Sequence, residues 1–195
     1  MGDEYEYVKC LLRGNNSVVK TTLCVAHNPK QFPQGWVSAR YHGPRSIIQF
    51  DAGGRVILRY DEVVDLPGPE DVYHWCDVYI VSFSLVDPRS YENILKEYYA
   101  HFTTWRFDVP ILVVGTKCDR VNPWPTREAM VNHVDTLSRL RGEWEAPLTR
   151  KDGLRLAETI NAVGYFECSS LTGVGVEQVF REACKAGLDA KKYAR

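Results

Sequence analysis

The chain has almost no net charge, no long apolar run, no metal-ligand spacing and no low-complexity stretch or internal repeat, and each absence removes a class of function. Its 24 Lys and Arg nearly cancel 25 Asp and Glu, leaving a formal charge of −1, so no overall field recruits nucleic acid or an anionic membrane. No apolar stretch reaches the roughly 20 residues of a membrane-spanning helix. The six Cys, at 10, 24, 76, 118, 168 and 184, include no CxxC pair, and the five His, at 27, 42, 74, 101 and 133, form no HExxH. That pattern speaks against a zinc site or a disulfide framework and fits reduced core thiols in the cytosol. The acidic opening Met1-Gly2-Asp3-Glu4-Tyr5-Glu6 is not a signal peptide, and Glu6 stands where a myristoylation motif wants Ser or Thr. No nucleophile and base can be paired from the sequence, so no catalytic residue is assigned. At 195 residues the chain is expected to form a single domain, 1–195, with a core large enough to need no staples.

What is present is a nearly complete phosphate-binding loop. A strand-like run, Tyr7-Val8-Lys9-Cys10-Leu11-Leu12-Arg13, leads into Gly14-Asn15-Asn16-Ser17-Val18-Val19-Lys20-Thr21-Thr22. The motif strand, GxxxxGK(S/T), helix wraps phosphates in backbone N–H groups at a helix N-terminus, while its Lys meets phosphate and its hydroxyl meets Mg²⁺. Gly14, Lys20 and Thr21 stand in place, but the second Gly is Val19. A branched side chain there restricts the backbone and crowds the approach to phosphate. If its φ must be positive, the strain alone is about 1–3 kcal/mol.

Two further apolar strands end in polar turns: Ile111-Leu112-Val113-Val114-Gly115 runs into Thr116-Lys117-Cys118-Asp119, and Tyr165-Phe166-Glu167-Cys168 into Ser169-Ser170-Leu171. The order and spacing of the three motifs, with Phe83-Ser84-Leu85-Val86-Asp87-Pro88-Arg89-Ser90-Tyr91-Glu92-Asn93, resemble the Rho/Rac family of Ras-like GTPases from about Tyr7 to about Leu188. The resemblance implies an α/β fold, a six-stranded mostly parallel sheet flanked by helices with a Rho-type insert helix. It also implies a GTP/GDP and Mg²⁺ site. Asp119 matches the carboxylate that accepts two guanine N–H groups, Lys117 the side chain laid along the base, and Phe32 the aromatic against the base edge. Ser169 and Ser170 match the Ser-Ala turn whose backbone N–H reads the guanine oxygen, so Ser in place of Ala is expected to be tolerated. Gly14, Asn16, Ser17, Lys20, Thr21 and Thr22 would line the phosphates, and Thr21 and Asp61 the metal.

Against that pattern the catalytic end departs at several positions. An ungapped register from Lys20 puts Ala39, which has no oxygen for a hard cation, at the switch Thr, and aligns Tyr60-Asp61-Glu62-Val63-Val64-Asp65 with Trp-Asp-Thr-Ala-Gly-Gln. Asp61 then keeps the metal-side carboxylate. A rival register uses Asp65-Leu66-Pro67-Gly68 as DxxG but needs more gaps. Both lose the water-orienting Gln. Asn16 occupies a Gly position beside the γ-phosphate, where a side chain obstructs the geometry of transfer. The resemblance therefore implies a degenerate, pseudoGTPase-like member, with weak or absent nucleotide binding and little or no hydrolysis; the alternative is a GTP-binding switch or slow GTPase.

Strands are expected near 6–12, 45–51, 55–61, 77–84, 110–116 and 164–168, and helices near 20–26, 89–104, 126–141, 150–161 and 175–188. Asp51-Ala52-Gly53-Gly54 reads as a hairpin turn. The Rho-type insert, about 120–148, is longer than a Rac-type one, with Met130, Val134, Leu137 and Leu140 at helical spacing and Trp124 and Trp144 as candidate partner contacts. Expected partners are proteins, met through the switch regions and the insert. The chain ends Lys191-Lys192-Tyr193-Ala194-Arg195, without the prenylation box usual in Rho-type proteins. The expected location is the cytoplasm, with peripheral membrane attachment if a lipidated tail follows.

Overall fold

In a computed structural model of the chain, the described residues are 6–15, 18–27, 46–49, 55–62, 76–98, 109–121 and 147–193. Strand β1, Glu6–Arg13, is exposed at its start and almost wholly buried from Val8 onward, as befits a central strand with apolar residues on both faces. It pairs in parallel with β3, Arg55–Glu62, on one side and with β4, Val78–Ser84, on the other. Beyond β4 lie β5, Ile111–Thr116, and β6, Gly164–Cys168, both parallel. At the other edge β2, Ser46–Gln49, runs antiparallel to β3, with Gln49 opposite Arg55. The sheet has six strands in the order β2-β3-β1-β4-β5-β6.

Alternation along the inner strands splits the core in two. Val8, Cys10, Leu12, Val78, Ile80, Leu112 and Val114 pack with residues of helix α1, Lys20–His27, and the last helix, Val176–Tyr193. Val81, Phe83 and Val113 face the other way, onto Leu156, Ala157 and Ile160. These belong to, or directly follow, helix Arg150–Thr159. Between β4 and β5 comes the short α2, Pro88–Asn93; Arg150–Thr159 is then α3 and Val176–Tyr193 is α4 among the described residues. The successive parallel strands therefore present their carboxyl ends on one edge, where the ligand site of such sheets forms.

Two expectations need correction. Of the helix expected over 89–104, the described part is α-helical to Asn93 and continues as a π-turn, Ile94–Tyr98, and 99–104 lie outside the described residues; an i→i+5 turn inserts a residue that a 3.6-residue periodicity does not anticipate. The last helix runs past 188 to Tyr193. Its final turn is held by Lys191, whose ammonium pairs with Asp77 at 2.8 Å and donates to the Tyr7 carbonyl. Asp77 also accepts from the Lys9 backbone N–H at 2.7 Å, so one carboxylate ties α4 to β1. Five of the six thiols are buried and Cys76 partly so, and none is in a disulfide. No described helix is long and apolar enough to cross a membrane. Asn16, Ser17, Phe32, Ala39, Val64, Asp65, the 51–54 turn and residues 122–146 of the expected insert lie outside the described residues.

Candidate functional site

At the end of β1 the chain turns through Gly14, whose φ is +146°. A Cβ there would sit 2.2 Å from the Ser82 carbonyl oxygen and 2.8 Å from both Ser82 Oγ and Val18 Cγ2. Only glycine fits. Ser82 Oγ in turn donates to the Arg13 carbonyl at 2.8 Å, fixing the turn to β4. Val18 is fully buried, its N–H donates to Asn15 O at 3.2 Å, and Lys20 opens α1 with its ammonium buried inside the loop. Lys20 Nζ donates to the carbonyls of Gly14 at 2.7 Å and Asn15 at 3.1 Å.

Val19 has φ +59°. This is the left-handed region, rare for any L-residue and an outlier for a β-branched one. The sheet turn before it and the helix after it hold it there, for its carbonyl already accepts the first helical bond from Leu23 N–H at 2.8 Å. At position 19 the backbone thus has a conformation that a glycine would adopt freely, with a branched side chain added. Thr21 and Thr22 follow in the first turn of α1, part-exposed. Asp61 is the penultimate residue of β3 and pairs with Leu11 in backbone register; its side chain lies outside the described residues.

The second loop cluster is built differently. Thr116 closes β5, buried, with Oγ1 donating to Phe83 O at 3.0 Å. Lys117 then takes a left-handed conformation, φ 61° and ψ 36°, and Asp119 stands in the 3₁₀ turn Cys118–Arg120. Burial lowers the Lys117 pKa from the ordinary lysine value, opposed by the nearby Asp87 carboxylate. Asp87, to which the sequence reading gave no role, precedes α2 but makes no side-chain capping bond; an acidic residue before a proline-led helix signals only a cap.

Cross-strand register sets Cys168 beside Thr116, so the turn after β6 adjoins the turn after β5. Ser169 is fully buried. Its N–H donates to Val174 O at 2.9 Å, its carbonyl accepts from Gly173 N–H at 2.9 Å, and its Oγ accepts from Thr172 N–H at 3.2 Å. Gly175, φ +72°, admits no side chain, since a Cβ would lie 2.2 Å from the Glu167 carbonyl.

Ser170 follows in the same turn. Its hydroxyl is buried and makes no hydrogen bond, as is also true of Ser84 Oγ at the end of β4. A buried polar atom left unpaired costs about 1–3 kcal/mol, so Ser at this position is not neutral to the turn. The Lys117–Asp119 and Ser169–Ser170 segments therefore form a tightly bonded corner that offers a carboxylate, a lysine and one unsatisfied hydroxyl. That chemistry suits the polar edge of a planar base. The Gly14–Thr22 loop suits a phosphate chain less well, because Val19 puts carbon where close backbone approach is needed.

The family model for the Ras family matches residues 60–188. The matched span takes in β4, β5 and β6, both segments of the second cluster and most of α4; Gly14, Val19 and Lys20 precede it.

Proposed function

Because the chain belongs to the Ras family, we propose that it is a Rho-like pseudoGTPase, a G domain used as a protein-interaction module in signalling. Nucleotide binding is weak or absent and hydrolysis slow or nil. The observation that carries this reading is the left-handed Val19 in the position of the loop glycine. Its methyls crowd the β-phosphate, and each phosphate hydrogen bond lost is worth roughly 1.5–3 kcal/mol. The replaced switch residues support the same direction, Ala39 at the switch Thr and, at the Gln position, Asp65 in the ungapped register or Pro69 in the rival one, since phosphoryl transfer rests on positioning and charge stabilisation. The Rho assignment rests on motif order and the long insert in the sequence. Trp36, Arg40, Tyr41 and Trp75 of the switches and Trp124 and Trp144 of the insert are the candidate anchors for partners, being residue types enriched in interface hot spots.

A second reading, a GTP-binding switch with Mg²⁺ between Thr21 and Asp61, draws on the well-bonded corner around Lys117 and Ser169. One experiment separates the two. Protein purified without added nucleotide is heat-denatured and its supernatant run on an ion-exchange column for GDP and GTP. Well under one equivalent is expected; a stoichiometric guanine peak overturns the proposal in favour of the switch.

A further inference from the structure

Two features of the site pull in opposite directions. At the phosphate side, Val19 is held at φ +59° by the Leu23 bond and cannot retreat without breaking the start of α1. Its Cβ therefore stays on the face of the loop where glycine would leave space. Lys20 Nζ spends two of its three N–H donors on loop carbonyls, so it has fewer to spread over a chain of phosphates. Among the described residues at the base side no branched residue takes the place of a loop glycine in this way. The turns are cross-bonded, and Ser170 Oγ is buried with no partner in the protein, a polar group that a ligand atom can satisfy.

We infer that the site is selective for the base and indifferent to the phosphates: it takes a guanine nucleoside or its 5′-monophosphate about as well as the di- or triphosphate, with the Ser170 hydroxyl bonded to the bound base. The inference deepens the weak-nucleotide reading and rests on it. An intact phosphate loop gains affinity with each phosphate it wraps; a loop that cannot wrap them gains little. Affinity then follows the part shared by all guanine ligands. Ser170, with both a donor proton and acceptor lone pairs, contributes equally to each of them.

The test is protein-observed NMR titration of the full chain with guanosine, GMP, GDP and GTP in the presence of Mg²⁺, with adenosine as control. GMP and GDP dissociation constants within about tenfold of each other are expected. Val19→Gly should tighten GDP by about tenfold or more while leaving GMP unchanged within about twofold. Ser170→Ala should weaken GMP and GDP alike by about fivefold. A wild-type preference for GDP of more than about tenfold overturns the inference, even if both bind weakly. So does a failure of guanosine and GMP to shift any resonance, an outcome that leaves the scaffold reading standing. The reverse failure is distinct, because copurified stoichiometric GDP or GTP refutes the weak-nucleotide reading itself.

Discussion

The two loop clusters at the carboxyl edge of the sheet use the same backbone device with different residues. The loop after β6 meets its positive-φ positions with Gly173 and Gly175, whereas the loop after β1 uses Gly14 and then Val19. Where a side chain would strike backbone, at Gly14 and Gly175, glycine is kept. Gly173 is also kept although nothing lies within 4 Å of its Cβ, whereas position 19, with φ +59°, carries valine despite the intrinsic strain. The contrast teaches that the fold constrains one set of positions and the ligand another. Packing requires Gly14 and Gly175; phosphate binding would require glycine at position 19.

That distinction is easiest to break at the glycines. Gly14→Ala and Gly175→Ala should each destabilise the protein by about 3 kcal/mol or more, because a Cβ 2.2 Å from a carbonyl forces the backbone to move. Gly173→Ala, with φ +79° but nothing within 4 Å of its Cβ, should cost only about 1–2 kcal/mol of left-handed strain. Urea denaturation of the three variants checks the order. Equal losses at all three would mean that conformation, not contact, decides which glycines the fold needs.

An alkaline titration should act chiefly through the buried thiols and phenols. Burial raises the Cys118 and Cys168 thiols, Cys76 to about 11 and Cys184 to about 12, and raises Tyr91 and Tyr165 as well. In the unfolded chain these thiols ionise near 9.0. A pKa raised on folding means stability that is complete below the unfolded value and is lost as pH climbs through the folded one. Lys117, lowered by burial, contributes with the opposite sign, adding stability as pH rises toward the ordinary lysine value. Several raised groups against one lowered lysine give a net loss between about pH 9 and about pH 11. Urea midpoints should be flat below about pH 8 and fall through that window; a midpoint that holds steady to about pH 11 would show that the thiols are more accessible than their burial implies.

Most of the frame was legible from the residues. Apolar, β-rich runs located all six strands to within one or two residues, because inner strands such as Val78–Ser84 are buried on both faces and read as near-continuous apolar stretches. The turn motifs put Lys117, Asp119, Ser169 and Ser170 at strand ends, and the cross-strand register sets them side by side. What escaped was set by tertiary context. The π-turn at Ile94–Tyr98 leaves the helical composition unchanged, the length of α4 depends on Lys191 meeting Asp77 from 114 positions away in sequence, and the orphaned Ser170 hydroxyl is visible only once its surroundings are packed. The left-handed Val19 lay between: the motif states what the backbone should do, but only the fold shows that valine complies.

Val19→Gly sharpens the comparison from the other side. Relief of left-handed strain is worth about 1–3 kcal/mol, offset by roughly 0.5–1 kcal/mol of extra unfolded-chain entropy for glycine. A net gain of about 1 kcal/mol in urea stability is expected, an unusual sign for a substitution to glycine at the start of a helix. A loss of stability would show that the valine methyls pack into the domain and that the position is structural after all.

The smallest expected effect supplies the control for the rest. Helix α3 begins with a capping box in which Thr149 Oγ1 accepts from Asp152 N–H and Asp152 Oδ2 accepts from the Thr149 N–H at 2.8 Å. Thr149→Ala removes the hydroxyl and should cost about 1 kcal/mol. Thr149 caps α3, away from both Gly14–Thr22 and Ser169–Gly175 in sequence, and its replacement alters no backbone φ that either loop needs. Guanine-ligand affinities measured by NMR should therefore stay within about twofold of wild type. If this mild global loss shifts them as much as Val19→Gly does, ligand binding follows overall stability, and the separation between a packed glycine and a ligand-facing one fails.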